Sequence, residues 1–164
     1  MTIKRATVSY GGPGLRFLGA TDSGHVVAFD DEAGDSGARP MEALLAALGA
    51  CTAMDVLSIL RKKRQPVSWY RVRVEGEQRA EHPHVFTDIR VIHEADGHSV
   101  EREALRRAIQ LSAERYCSVG AMLAAGTARV SHWYLLRGAQ PADDEIGEVV
   151  SRGPGAPLPE AVPA

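Results

Sequence analysis

Pro40-Met41-Glu42-Ala43-Leu44-Leu45-Ala46-Ala47-Leu48-Gly49-Ala50-Cys51-Thr52-Ala53-Met54-Asp55 is the stretch on which the fold turns. Alanine and leucine dominate it, and both are strong helix formers. No charge falls between Ala43 and Met54. Proline suits a first helical turn, where its missing N–H would have no intrahelical partner. Arg61-Lys62-Lys63-Arg64 puts cations at the far end, where the helix dipole favours them, and Pro66 closes the element. The pattern predicts a helix from Pro40 to about Lys63. It is apolar nearly all round, so it is expected to be a buried central helix. A membrane span needs about 20 apolar residues. Glu42 and Asp55 interrupt the run below that length, so no membrane partner is expected.

Before the helix, residues 1–31 read as short strands joined by turns. Gly11-Gly12-Pro13-Gly14 and Asp22-Ser23-Gly24 are turn chemistry, and His25-Val26-Val27-Ala28-Phe29 is a strand. The glycine cluster matches neither nucleotide-binding spacing, so no nucleotide cofactor is expected from it. A polar loop from Asp30 to Ala38 leads into the helix. After it, Tyr70, Val72 and Val74 alternate with Arg71, Arg73 and Glu75, as in a sheet with one wet face. A second strand covers 85–92. Val100 to about Glu114 has helical periodicity, with Ser99 as its expected N-cap. A short helix from Cys117 to Leu123 and a strand, Ala128–Leu136, complete the body. Strands and helices are grouped rather than alternating, which makes the class α+β.

The chain has 164 residues, of which 45% are hydrophobic and 24% charged, with a formal net charge of −2. That suits one domain and argues against a nucleic-acid partner, which would call for a basic excess. The charge is uneven. From Gly138 on, Asp143, Asp144, Glu145, Glu148 and Glu160 face only Arg152, and five of the nine prolines fall there. Residues 1–137 therefore form the expected domain, at +2, and 138–164 an acidic, proline-rich tail expected to be mostly disordered. The first residues contain no apolar run, so no signal peptide is expected and the cytoplasm is the expected compartment.

Two cysteines are too few for a disulfide scaffold. Cys51 lies mid-helix and Cys117 at the start of the short helix after Tyr116. Free cysteines often only fill space. A helix N-terminus stabilises thiolate, however, and Arg115 is close in sequence, so a lowered pKa is expected at Cys117. Asp55, four residues after Cys51, shares its face. A carboxylate there raises a thiol's pKa unless a cation offsets it, and Arg16 and Arg39 are the candidate cations. Asp55 reads equally as a buried hydrogen-bonding residue. His82-Pro83-His84, with His93 and His98 beside the Asp96-Gly97 turn, lacks the ligand spacing of a zinc site, so no metal is expected. No G-x-S-x-G is present.

The string Arg39–Val56 resembles the first-cysteine helix of the OsmC/Ohr family, the osmotically inducible and organic-hydroperoxide-resistance proteins. Leu111-Ser112-Ala113-Glu114-Arg115-Tyr116-Cys117-Ser118-Val119 is similar to that family's second-cysteine segment. These strings, with Gly14–Gly19 and Gly24-His25, look closest to the YhfA-like branch, and the resemblance spans about residues 3–137. It implies an intertwined homodimer in which a curved antiparallel sheet packs on a long central helix. It also implies a cysteine-based hydroperoxide reductase without a cofactor. Cys51 would attack the peroxide and become a sulfenic acid. Cys117 would condense with it to a disulfide, and a dithiol of unknown identity would reduce that bond. An arginine, Arg16 or Arg39, would activate Cys51, oriented by a carboxylate.

One position departs from the pattern. Met41 stands where the peroxidase members carry that carboxylate. Glu42 is one step on, and nine residues from Cys51 places it half a turn out, on the opposite face. The alternative is a dimer of the same fold without peroxidase activity, binding a small apolar or electrophilic ligand between subunits.

Overall fold

A computed structural model describes residues 2–151. The chain divides into an amino-terminal unit, Met1–Leu45, and a carboxy-terminal unit, Ala46–Ala164.

In the amino-terminal unit, β1 (Ala6–Tyr10), β2 (Phe17–Thr21) and β3 (Val26–Phe29) form an antiparallel meander. Val8 sits opposite Gly19, which in turn faces Val27. The two predicted turns connect these strands. A Cβ on Gly19 would lie 3.0 Å from the Phe29 ring, so the absence of a side chain there admits the aromatic. Asp30 organises the polar loop, accepting the Ser36 hydroxyl at 2.5 Å and the backbone N–H groups of Asp31 and Ser36. These bonds favour the charged form of Asp30 and hold its carboxyl below the usual range.

Helix α1 (Pro40–Lys62) starts in this unit and continues into the next. Its first turn is closed by Glu42, whose carboxylate accepts the Arg39 N–H at 3.1 Å, the returning half of a capping box. Between the helix and the sheet of the carboxy-terminal unit, a Cβ on Gly49 would come within 3.1 Å of Val74. Glycine costs about 1 kcal/mol in a helix relative to alanine, and here it allows the backbone close to the sheet.

Burial of α1 is one-sided, against the expectation from its composition. Leu48, Gly49, Thr52, Val56 and Leu60 are buried, while Ala46, Ala47, Ala50 and Met54 are exposed. The sheet of one chain covers only one stripe of a helix, whatever the helix's composition. By length and composition alone α1 is also apolar enough to cross a bilayer, Glu42 and Asp55 notwithstanding.

In the carboxy-terminal unit, β4 (Tyr70–Gln78), β5 (Phe86–Asp96), β6 (Arg129–Arg137) and β7 (Glu145–Val149) stand in that order in one sheet. The outer pairings are antiparallel, but β5 and β6 run parallel, Val91 beside His132 and His93 beside Tyr134. Parallel neighbours require a crossover. Here it holds α2 (Arg102–Leu111), a wide π-turn (Ser112–Tyr116) and α3 (Ser118–Ala124). The core joins Val56 and Leu60 of α1 to Leu105, Ala108 and Ile109 of α2 and to Ala95, Tyr134 and Leu136 of the sheet.

Two expectations are corrected. Ser99 does not cap α2. Its hydroxyl bonds Asp96, and the cap position falls to Glu101 with no side-chain bond. The tail does not begin at 138. Pro141–Asp143 makes a short helical turn and β7 pairs with β6 from His132↔Val149 to Leu136↔Glu145. Composition hid this strand because its stability comes from pairing. Tyr134 Oη donates to Glu145 at 2.9 Å and Arg137 binds Asp144 at 2.6 Å, so the acidic residues are used in docking. Residues 152–164 of the expected tail lie outside the described residues.

Candidate dithiol site

Cys51 is half-buried in the fourth turn of α1. Cys117 is buried at the N-cap of α3, where its sulfur accepts the Gly120 N–H at 3.3 Å. The π-turn delivers it there. A widened turn adds a residue to the helical path and re-aims the chain beyond it, and such turns recur at functional sites. The two sulfurs and a carboxylate oxygen of Asp55 all lie within 4.8 Å of one another. Residues 66 positions apart in sequence are thus brought together, with the carboxylate beside them.

The expected lowering of the Cys117 pKa is not found. Its thiol is pushed up to about 12, first by burial, with the Gly120 N–H working the other way and Cys51 and Asp55 adding to the rise. Desolvation of a thiolate outweighs one amide dipole on a seven-residue helix, and Arg115 is exposed. Cys117 is therefore a protonated thiol at neutral pH.

Asp55 accepts the Ser112 hydroxyl at 3.0 Å, and Ser112 shares a 2.9 Å bond with Thr52. Burial raises the Asp55 pKa and the Ser112 bond partly offsets that. Both sequence readings of Asp55 apply, since it borders the thiols and also ties α1 to the π-turn. Thr52 and Ser112 are fully buried and escape sequence reading. The i, i+3 spacing of Thr52 and Asp55 was the available signal.

Of the other candidates, Glu42 is engaged in capping, and Arg39 pairs with Asp35 at 3.3 Å and with Glu42 at 3.8 Å. Arg16 lies near Asp30 in the amino-terminal unit and contributes to its lowered pKa. The histidines divide. His82 and His84 are exposed, with ring centroids 4.0 Å apart. His93 is instead wholly buried in β5, accepting or donating a 2.7 Å bond with Tyr70 Oη and lying 3.5 Å from His132. Burial holds both His93 and His132 below the usual imidazole pKa, His132 at about 4. His98 remains at the surface turn, where its N–H bonds Asp96.

A long cysteine-bearing helix on a mixed sheet, with a second cysteine at the start of a short helix against it, defines a paired-thiol α+β protein. The chain belongs to the family of OsmC-like proteins, whose model matches residues 33–131. Protein YhfA of Escherichia coli strain K12 is 46% identical over 110 residues, 67% of this chain and 82% of that protein. The crystal structure of a hypothetical protein from Aquifex aeolicus VF5 superposes with a TM-score of 0.72 at 33% identity, covering 84% of this chain and 100% of that one. The organic hydroperoxide resistance protein OhrB of Bacillus subtilis is alike in fold, with a TM-score of 0.55 at 15% identity over 80% of this chain and 96% of its own.

Proposed function

We propose that the protein is a cytoplasmic, dithiol-dependent hydroperoxide reductase acting on organic hydroperoxides. The observation that carries this reading is the approach of Cys51 and Cys117, with Cys51 the more accessible of the two. The Cys51 thiolate attacks the terminal peroxide oxygen, the O–O bond breaks, and the alkoxide takes a proton to leave as an alcohol. Cys51 becomes a sulfenic acid. The Cys117 sulfur then displaces its hydroxyl as water, forming a disulfide. An external dithiol returns both thiols and is itself oxidised. The raised pKa of Cys117 suits the second role, since a protonated thiol does not compete for peroxide. Arg16 and Arg39 are the candidates for activating Cys51.

We further propose a homodimer. The exposed stripe of Ala46, Ala47, Ala50 and Met54 on α1 is the surface a second copy would cover. A second reading, a ligand-binding dimer without peroxidase activity, is favoured by Met41 and by the use of Glu42 in capping.

Reduced protein treated with stoichiometric cumene hydroperoxide distinguishes the two readings. The reductase loses two thiols per chain rapidly, and the Cys117→Ser variant holds a trappable sulfenic acid on Cys51. Survival of both thiols in excess peroxide for hours would leave the ligand-binding reading.

A further inference from the structure

Cys51, Asp55 and Cys117 offer three donor atoms within 4.8 Å of one another, two sulfurs and one carboxylate oxygen. Cys51 and Asp55 project from one face of α1, four residues apart, and Cys117 meets them from the start of α3. The bond lengths of tetrahedral zinc, about 2.3 Å to sulfur and 2.0–2.2 Å to oxygen, place its ligand atoms about 3.4–3.8 Å apart. Closing from the observed spacing needs shifts of about 1 Å, within the reach of side-chain rotation.

The surroundings are those of a ligand set. Ser112 holds the Asp55 carboxylate at 3.0 Å and is itself held by Thr52 at 2.9 Å, both hydroxyls fully buried. A carboxylate that accepts one such bond still has lone pairs for a metal, and outer partners of this kind orient ligands. The Gly120 N–H donates to the Cys117 sulfur, a bond that favours its thiolate. Charge is the unbalanced element. Among the described residues of the carboxy-terminal unit, the ion pairs engage Glu75, Asp88, Glu94, Glu103, Asp144 and Glu145, and none engages Asp55. Two thiols and a carboxylate therefore converge without a cation from that unit. Thiolate sulfur selects zinc-class ions over magnesium or calcium, which take oxygen ligands.

We propose that Cys51, Asp55 and Cys117 form a three-ligand site for a divalent cation of the zinc class, with a fourth position open to water. Binding releases whatever protons the two sulfurs carry and changes no oxidation state. A bound ion and a Cys51–Cys117 disulfide use the same sulfur lone pairs, so each state excludes the other. The proposal shares its cysteines with the reductase reading but not its peroxide chemistry.

The test is an anaerobic titration of the reduced, full-length protein with Co2+. The expected result is a near-ultraviolet thiolate-to-cobalt charge-transfer band with intense tetrahedral d–d bands. These saturate at one ion per chain and are bleached by Zn2+, with protons released to a weakly buffered dye. Cys51→Ser and Cys117→Ser should each weaken the charge-transfer band and the affinity at least tenfold. Asp55→Asn should keep the band and lose affinity, and Ser112→Ala should cost about 10–100-fold. Far-UV circular dichroism establishes that each variant is folded. The His82→Ala/His84→Ala variant should bind as the parent does. Absence of a charge-transfer band in the folded parent overturns the site, as does a band that survives in the Cys51→Ser/Cys117→Ser double variant. Thiol loss to cumene hydroperoxide, measured on chelator-treated protein, reports on the reductase reading separately and is unaffected by a failed cobalt titration.

Discussion

Ser112, in the π-turn, donates its hydroxyl proton to Asp55, in α1, across 3.0 Å and 57 positions of chain. This bond, with the Thr52 contact behind it, fixes the two segments that carry the cysteines. Ser112→Ala removes the donor and leaves Thr52 and Asp55 under-satisfied in a buried setting. A loss of about 1–3 kcal/mol is expected. Urea unfolding of the reduced protein measures it, and a midpoint equal to the parent's would show that the bond is replaced by water.

Gly120 packs closely against the buried sulfur. A Cβ there would stand 3.2 Å from Cys117 Sγ. Gly120→Ala should displace the sulfur by a few tenths of an ångström. Over-packing of this kind costs about 1–3 kcal/mol, set against a helix-propensity gain of about 1 kcal/mol. The thermal midpoint is expected to fall modestly, and disulfide formation after one equivalent of peroxide to slow. Unchanged kinetics of disulfide formation would show that the sulfur has room to move.

Acid should destabilise the fold through its histidines. His93 and His132 are held uncharged by burial, with pKa values below those of the unfolded chain, at about 4 for His132. The unfolded state therefore binds more protons as pH falls below about 6.5, and stability, full above that value, is lost on the way down. His132 should account for about 1.5 kcal/mol between pH 6.5 and 5, with His93 acting in the same direction. Urea midpoints measured across that interval should fall steadily. A flat profile would mean that the pair is hydrated or already charged in the native state.

Glu94 is fully buried and bound by three guanidiniums, Arg71 at 2.7 Å, Arg73 at 2.5 Å and Arg137 at 3.1 Å. Burial opposes its charge, but the arginines prevail and hold its carboxyl below the usual range. Glu94→Gln should cost about 2–3 kcal/mol, less than the 3–5 kcal/mol typical of a broken buried pair because the arginines are half exposed. High salt should narrow the difference between parent and variant. A salt-independent difference would point to packing as the cause.

Met41→Glu places a carboxylate at the position where the family resemblance implies one. The expected outcome is faster peroxide-driven loss of the two thiols, with the disulfide product unchanged. Equal rates in parent and variant would show that the residue at position 41 does not govern peroxide reactivity.

The central helix, the grouping of strands and the two cysteine positions were legible because each is written in local patterns: apolar composition, alternation and turn residues. The approach of Cys51 to Cys117 came only from the resemblance, since nothing local in either string measures the distance between them. The features that escaped were set by partners distant in sequence. In the sequence His93 only flanks a turn, yet β6 and Tyr70 enclose it. The raised pKa of Cys117 reflects burial that its helix-start position does not reveal. Arg16 and Arg39 stayed alternatives for the same reason.

The strand at 145–149 has a practical consequence for anyone shortening this protein. Cutting at residue 137, where composition invites it, would strip β6 of a neighbour from His132 to Leu136. Those backbone amides and carbonyls would then form a raw, unshielded border. Such a border templates pairing between molecules. A chain trimmed there should come out of the cell as aggregate, and one ending after Val150 as dispersed protein.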